Sequence, residues 1–269
     1  MSSAPTTPIG LRVVAHSPVE GLVVAERRTG EPVATIVCVH GGLDRGGSFA
    51  RLARRTNNFD LVAFDRRGYQ GSRVLSPVTF DLHIDDLVAV ATREAGRAPV
   101  ILFGHSFGGV ITFAAAQRHP GLAALVVNYE ASLPWVLARP SGRPAPTDDA
   151  PAEAERFFRR MVSNGAWERL SESEREARRL DGPALLVDLA VLRGDAPFEL
   201  TTLSTPAAYV HGDWQLAPYY RALCLELEKL NPSIATVEMV KAGHGAHLSN
   251  PDQLANLIAT LWDRQCASG

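Results

Sequence analysis

Nearly unbroken apolar runs alternate with segments of helical periodicity along most of this chain. Ala34–Val39, Asp60–Asp65, Val100–Phe103 and Leu122–Val127 lack polar alternation and are rich in Val, Ile and Leu. That is the pattern of strands buried on both faces. Between them Ser48–Arg54, Phe80–Ala95 and Val110–Gln117 predict helices, the second with Leu82, Leu87 and Val90 among its apolar positions. Strand character returns at Ala207–Val210 and Thr236–Val240, with helices expected at Pro218–Leu230 and Asp252–Arg264. Leu11–His16 and Gly21–Glu26, joined through Pro18, read as an opening hairpin. Strands alternating with helices predict an α/β fold with a mostly parallel sheet.

The alternation breaks between residues 132 and 204. Arg139–Pro151 is rich in Pro, Gly and polar residues and reads as a loop, while Ala152–Gly165, Ser171–Leu180 and Pro183–Leu192 read as helices. Because strands resume afterwards, the division expected is a core of residues 1–131 and 205–269 with a helical cap at 132–204. Trp135, Phe157, Phe158, Met161 and Trp167 suggest a mostly apolar pocket beneath that cap, or the cap's own core.

Composition narrows the partners. The 269 residues are 46% hydrophobic and 21% charged with a formal net charge of −2, which gives nucleic acid or an acidic membrane surface no electrostatic foothold. Arginine far outnumbers lysine, a bias read here as compositional. Cys38, Cys224 and Cys266 are too scattered for a disulfide framework or a zinc site, and Cys38, inside a strand-like run, reads as a small buried hydrophobe. Residues 1–8 lack a basic stretch followed by an apolar one, and no segment has membrane-spanning length. The expectation is a cytoplasmic protein acting on a small molecule, its oligomeric state left open. No metal-ligand spacing or dinucleotide fingerprint occurs, and His40-Gly41-Gly42 lacks the Gly-Lys-Ser/Thr of a phosphate loop. Neither a metal nor a cofactor is therefore expected.

The chemistry centres on Gly104-His105-Ser106-Phe107-Gly108-Gly109, between the Val100–Phe103 strand and the next helix. Glycines two removed from a serine on either side let strand and helix approach closely around a strained turn, the requirement of a nucleophile elbow. Ser106 then stands at the strand's C-terminal edge, with the first helical N–H groups beside it.

Taken together, His40-Gly41-Gly42, Asp65-Arg66-Arg67-Gly68-Tyr69-Gln70-Gly71-Ser72, the elbow and Gly243-His244 resemble the α/β-hydrolase fold family over nearly the whole chain outside the cap. The resemblance implies eight mostly parallel strands, with nucleophile, acid and base in that chain order. It implies His244 as the base, with His247 as competitor, and places Asp65, Arg66 and Arg67 in structural roles. The commonest acid position in such proteins, Gly-x-x-Asp after the penultimate strand, reads Gly212-Asp213-Trp214-Gln215 here, so Gln215 stands where the acid should. Glu130, after the strand that follows the elbow helix, matches an alternative acid position used by some relatives. Glu130 is the preferred assignment, with Asp213 or no acid as the other outcomes. The oxyanion donors implied are the backbone N–H groups of Phe107 and Gly42, Leu43 being the neighbour that could replace Gly42.

The activity implied is that of a serine hydrolase cleaving an ester, lactone or thioester of a small, mostly apolar substrate through an acyl-enzyme. Carbon–carbon bond hydrolysis, perhydrolysis, or ligand binding without turnover are the alternatives.

Overall fold

The computed structural model describes residues 10–138 and 147–268. Its strands are β1 (Arg12–Val13), β2 (Val24–Arg27), β3 (Ala34–Val39), β4 (Phe59–Phe64), β5 (Val100–His105), β6 (Leu125–Tyr129), β7 (Ala207–Gly212) and β8 (Ile234–Met239). They form one sheet in the order β1-β2-β4-β3-β5-β6-β7-β8. β1 and β2 make the antiparallel hairpin expected, β2 also runs antiparallel to β4, and every pair beyond is parallel.

A parallel sheet must be covered on both faces, and β3 shows how the chain does it. Val37 and Val39 point into a core closed by α2 (Phe80–Ala95), α3 (Phe107–Arg118) and α8 (Ala217–Leu230), through Leu87, Phe113 and Leu223. Ile36 and Cys38 point the other way, toward Leu52 of α1 (Ala50–Ala53) and Leu254 and Ile258 of α10 (Pro251–Ser268). Cys38 is indeed fully buried.

Between β6 and β7 lie α4 (Ala150–Met161), α5 (Asn164–Arg169), α6 (Glu172–Leu180) and α7 (Gly182–Val191); a short α9 (Ala246–Ser249) precedes α10. The single helix expected at Ala152–Gly165 is two, because Ser163 restarts the chain by accepting the Ala166 N–H at 2.9 Å. The strand expected at Leu122–Val127 begins at Leu125 and runs on to Tyr129. Of the loop expected at Arg139–Pro151, residues 139–146 lie outside the described residues, and α4 already begins at Ala150, capped by Asp149. Phe158 and Trp167 pack 5.4 Å apart in the inserted segment's own small core, whereas Trp135 joins the main core edge-on to Phe198 at 5.8 Å.

A buried ion pair helps tie the insertion to the sheet. Arg66, just past β4, donates to both Asp188 oxygens on α7 at 3.0 and 2.6 Å and to the Gly41 carbonyl at 3.1 Å. The Tyr69 hydroxyl adds a 2.6 Å bond to the same carboxylate. Arg67 pairs with Asp86 at 2.7 Å through two parallel bonds, and Asp65 accepts the Gly46 and Gly71 N–H groups, so all three residues hold the turn together. Asp188→Ala leaves the Arg66 guanidinium buried without a counter-charge. It is expected to cost about 3–5 kcal/mol, read as a fall in the urea unfolding midpoint.

Candidate active site

β5 ends inside the elbow. Ser106 has φ 54° and ψ −120°, a conformation that costs a non-glycine residue on the order of 1–3 kcal/mol. The turn is held by the Ser106 N–H donating to the Tyr129 carbonyl at 3.0 Å and by the Gly109 N–H donating to the Ser106 carbonyl at 3.0 Å. A Cβ at Gly108 would lie 2.0 Å from the Val39 carbonyl oxygen, and one at Gly104 2.5 Å from Gly109 Cα. Both glycines are therefore fixed by close approach of backbone to backbone.

The loop after β3 lies against this turn. A Cβ at Gly41 would sit 3.4 Å from Ser106 Oγ, so the serine side chain rests over Gly41. His40 braces the loop from beneath: its Nε2 accepts the Arg66 N–H at 2.9 Å, which leaves Nδ1–H to donate to the Gly41 carbonyl at 2.7 Å. Burial and the Arg66 charge push the His40 pKa down to about 3, so the ring is neutral and can do both. Among the described residues neither the Gly42 nor the Phe107 N–H donates to a protein acceptor. Gly42 faces Leu185 and Phe157 of the insertion, which stand 3.1 and 3.5 Å from where its Cβ would be. Leu43, with φ 54°, turns its side chain into the insertion's core.

The acid and base candidates meet directly. His244 Nδ1 lies 2.6 Å from Glu130 Oε2, and the other carboxylate oxygen accepts the Gly212 N–H at 3.0 Å. Glu130 is 4% exposed and has φ 47°, a reversal that turns its side chain across the end of β7 while its N–H donates to the Val210 carbonyl. An ionised carboxylate only accepts, so His244 carries its proton on Nδ1. The ring keeps 30% of its side-chain surface exposed, with Nε2 engaged by no other group among the described residues. Ser106 Oγ and the His244 ring are not hydrogen-bonded to each other in this structure. Asp213 does not approach the imidazole: its carboxylate takes the Ala242 N–H at 3.2 Å, and bonding from the Lys241 and Ala242 backbone holds its pKa below the usual carboxylate range.

Two rings that the sequence did not mark as grips fasten the loop bearing His244. The Tyr129 hydroxyl donates to the Gly243 carbonyl at 2.8 Å, and His105 Nε2–H donates to the His244 carbonyl at 2.8 Å. His105 and Tyr129 face each other in the β5–β6 register, one preceding Ser106 and the other preceding Glu130. The residues preceding Ser106 and Glu130 thus grasp successive carbonyls of the loop bearing His244. The only trace in the sequence is a polar ring at the last position of two consecutive strand runs.

His247 lies beneath that loop, buried, 4.5 Å ring-to-ring from His105 and 5.0 Å from Phe49, with Nε2 3.6 Å from Asp44. Asp44, His105 and His247 each bring one potential ligand atom within 4.8 Å of the others. They are chemically able to hold a divalent ion. Three separate elements supply them, which is why no ligand spacing announces them. Among the described residues no helix is long and apolar enough to cross a membrane.

An eight-stranded, mostly parallel sheet with an elbow serine at its centre defines the class, and comparison with known proteins agrees. A family model described as "Alpha/beta hydrolase family" matches residues 36–257, and the chain belongs to that family. It is similar to lipase LipV of Mycobacterium tuberculosis (34% identity over 95 residues, 35% of this chain and 36% of the relative). It is also similar to human monoglyceride lipase (35% over 119 residues, 42% of this chain and 38% of the relative). Those alignments therefore span little more than a third of each relative's own length. An alpha/beta hydrolase from Sphaerobacter thermophilus shares the fold at TM-score 0.67 and 19% identity, covering 93% of this chain and 100% of the other.

The buried histidines make stability depend on pH. His40 titrates near 6.5 in an unfolded chain and at about 3 here; His83 and His105 are also driven down, chiefly by burial. As pH falls below 6.5 the unfolded chain takes up protons that the folded one refuses, so stability is lost on acidification through that window. For His40 alone this amounts to about 1.4 kcal/mol per pH unit at most. Urea midpoints are expected to fall steadily between about pH 6.5 and pH 4; a flat profile would contradict the neutral-strut description.

Proposed function

We propose that this protein hydrolyses a carboxylic ester-like bond, in an ester, lactone or thioester, through an acyl-enzyme on Ser106. The observation that carries the reading is the 2.6 Å contact between Glu130 and His244 Nδ1. It leaves Nε2 as the lone-pair nitrogen at the sheet edge that bears the strained serine. His244 Nε2 takes the Ser106 proton as Oγ bonds to the substrate carbonyl carbon, and the carbonyl electron pair moves to oxygen. The Gly42 and Phe107 N–H groups receive that oxyanion, each contributing about 3–4 kcal/mol toward the transition state. Collapse expels the alcohol or thiol, protonated by the imidazolium that Glu130 stabilises. Water then repeats the sequence on the acyl-enzyme and frees Ser106.

The similarity to lipases supports ester chemistry. Phe157 and Leu185 of the inserted segment, which acts as a cap in this reading, give the acyl site an apolar wall above Gly42. The substrate class is accordingly a small molecule with an apolar portion.

A fluorophosphonate probe is expected to label wild-type protein at Ser106 and to leave Ser106→Ala unlabelled, with turnover of short p-nitrophenyl esters lost in parallel. A protein that neither labels nor turns over is a binding member of the fold, and the proposal fails. The acid is tested separately by comparing Glu130→Gln with Asp213→Asn. The first is expected to lose on the order of 10³–10⁴ in kcat, by analogy with amide replacement of a triad acid. Asp213→Asn is expected to change kcat little, and the reverse outcome moves the acid to Asp213.

A further inference from the structure

Charge in this protein is mostly paired. Arg28, Arg66, Arg67, Arg73 and Arg97 each meet a carboxylate that is nearly or fully buried. Four arginines depart from that habit and converge on one cavity of about 390 Å³: Arg45, Arg51, Arg54 and Arg178. None of the four forms an ion pair among the described residues. Arg51 donates to the Leu248 carbonyl and Arg178 to the Glu174 carbonyl, both neutral acceptors. Arg178 also lies over the Phe158 ring at 5.0 Å, and its buried Nε has no hydrogen-bond partner.

The one acid lining the cavity, Asp44, accepts the Ser48 hydroxyl at 3.0 Å, with His247 Nε2 3.6 Å away. Burial first, and then the nearby Arg45 charge, push the Arg178 pKa down against the pull of Glu174, Asp44 and Asp181. Like charges brought together repel unless an anion sits between them, and planar guanidinium forks match phosphate and carboxylate oxygens two at a time.

The cavity also adjoins the candidate catalytic loop. Leu43, the residue after Gly42, lines it, and the same loop runs on to Arg45. The apolar wall of Phe157 and Leu185 above Gly42 and the cationic basin beyond Leu43 are thus two ends of one stretch of chain.

Building on the ester-hydrolase reading above, we propose that the basin formed by Arg45, Arg51, Arg54 and Arg178 binds a phosphate or carboxylate group carried on the part of the substrate remote from the bond that is cut. The substrate class is then an amphiphilic ester or thioester with an anionic end, not a wholly apolar one.

Binding is tested without turnover by calorimetric titration of Ser106→Ala protein with inorganic pyrophosphate. A single site is expected, weakened by rising salt and by about tenfold or more when Arg45→Gln and Arg178→Gln are added. Turnover tests whether the anion belongs to the substrate. The ratio of kcat/KM for p-nitrophenyl hydrogen adipate to that for p-nitrophenyl hexanoate is expected to fall about tenfold or more in the Arg45→Gln/Arg178→Gln protein. No pyrophosphate binding, or binding indifferent to the two substitutions, overturns the site. Binding with an unchanged ratio overturns its assignment to the substrate. A protein that turns over neither ester yet binds pyrophosphate counts against the Ser106 reading and leaves the anion site standing.

Discussion

A carboxylate that has almost no water must find a donor for each oxygen, and the sheet edge that bears Ser106 is built around meeting that demand for Glu130. Moving an isolated carboxylate out of water costs several kcal/mol even after the surroundings relax. Here one oxygen takes the Gly212 N–H and the other faces His244. To deliver the side chain there, the backbone reverses at φ 47° immediately after β6, and β7 must end with its Gly212 N–H free of a ladder partner. The orientation of the imidazole follows: with Nδ1–H committed to the anion, Nε2 is left as the basic nitrogen.

The same side chain serves in quite different ways around this edge, and burial decides which. His40 and His105 act as struts. A neutral imidazole can donate from one nitrogen and accept at the other, and His40 does both, joining the Arg66 N–H to the Gly41 carbonyl. His105 uses its donor on the His244 carbonyl. Protonation would cost His40 its acceptor, and burial opposes protonation of both rings. His244 differs in being partly exposed and in having a carboxylate at Nδ1. On the proposed reading His244 has to gain and lose a proton, and it is not buried as the struts are.

Much of the fold was legible because strands buried on both faces leave continuous apolar runs, and the elbow was legible because its glycines answer to steric limits at fixed offsets. Glu130 and Asp213 were harder to separate. Both follow a strand, and what separates their surroundings is the chain reversal at Glu130 and the bonding of Asp213 to the Lys241–Ala242 turn, neither of which leaves a pattern in the residues. The grips of Tyr129 and His105 on successive carbonyls were invisible for a related reason: they recognise backbone, and backbone has no sequence. The break between α4 and α5 did carry a sign, the capping Ser163, but the surrounding charged and aromatic pattern fits either side of it. The arginine bias read as compositional proves uneven once folded, since residues from the loop after β3, from α1 and from α6 gather at one cavity.

The insertion is held to the sheet by charge as well as by apolar contact. Asp188 binds Arg66 and Tyr69, while Asp181 accepts the Gln70 backbone and side-chain amides and two bonds from Arg73. Both anchors lie on or beside α7, and both partners lie on the turn after β4, which in turn carries the Arg66 bond to the Gly41 carbonyl. The position of Phe157 and Leu185 over Gly42, and of Arg178 over the basin, is therefore set by the same ties that shape the loop beside Ser106. On the proposed reading, chemistry belongs to the sheet edge and selectivity to the insertion. Because these ties align the two, the insertion cannot move as an independent lid without first separating the Arg66–Asp188 pair, whose charges are out of water, a step that costs several kcal/mol.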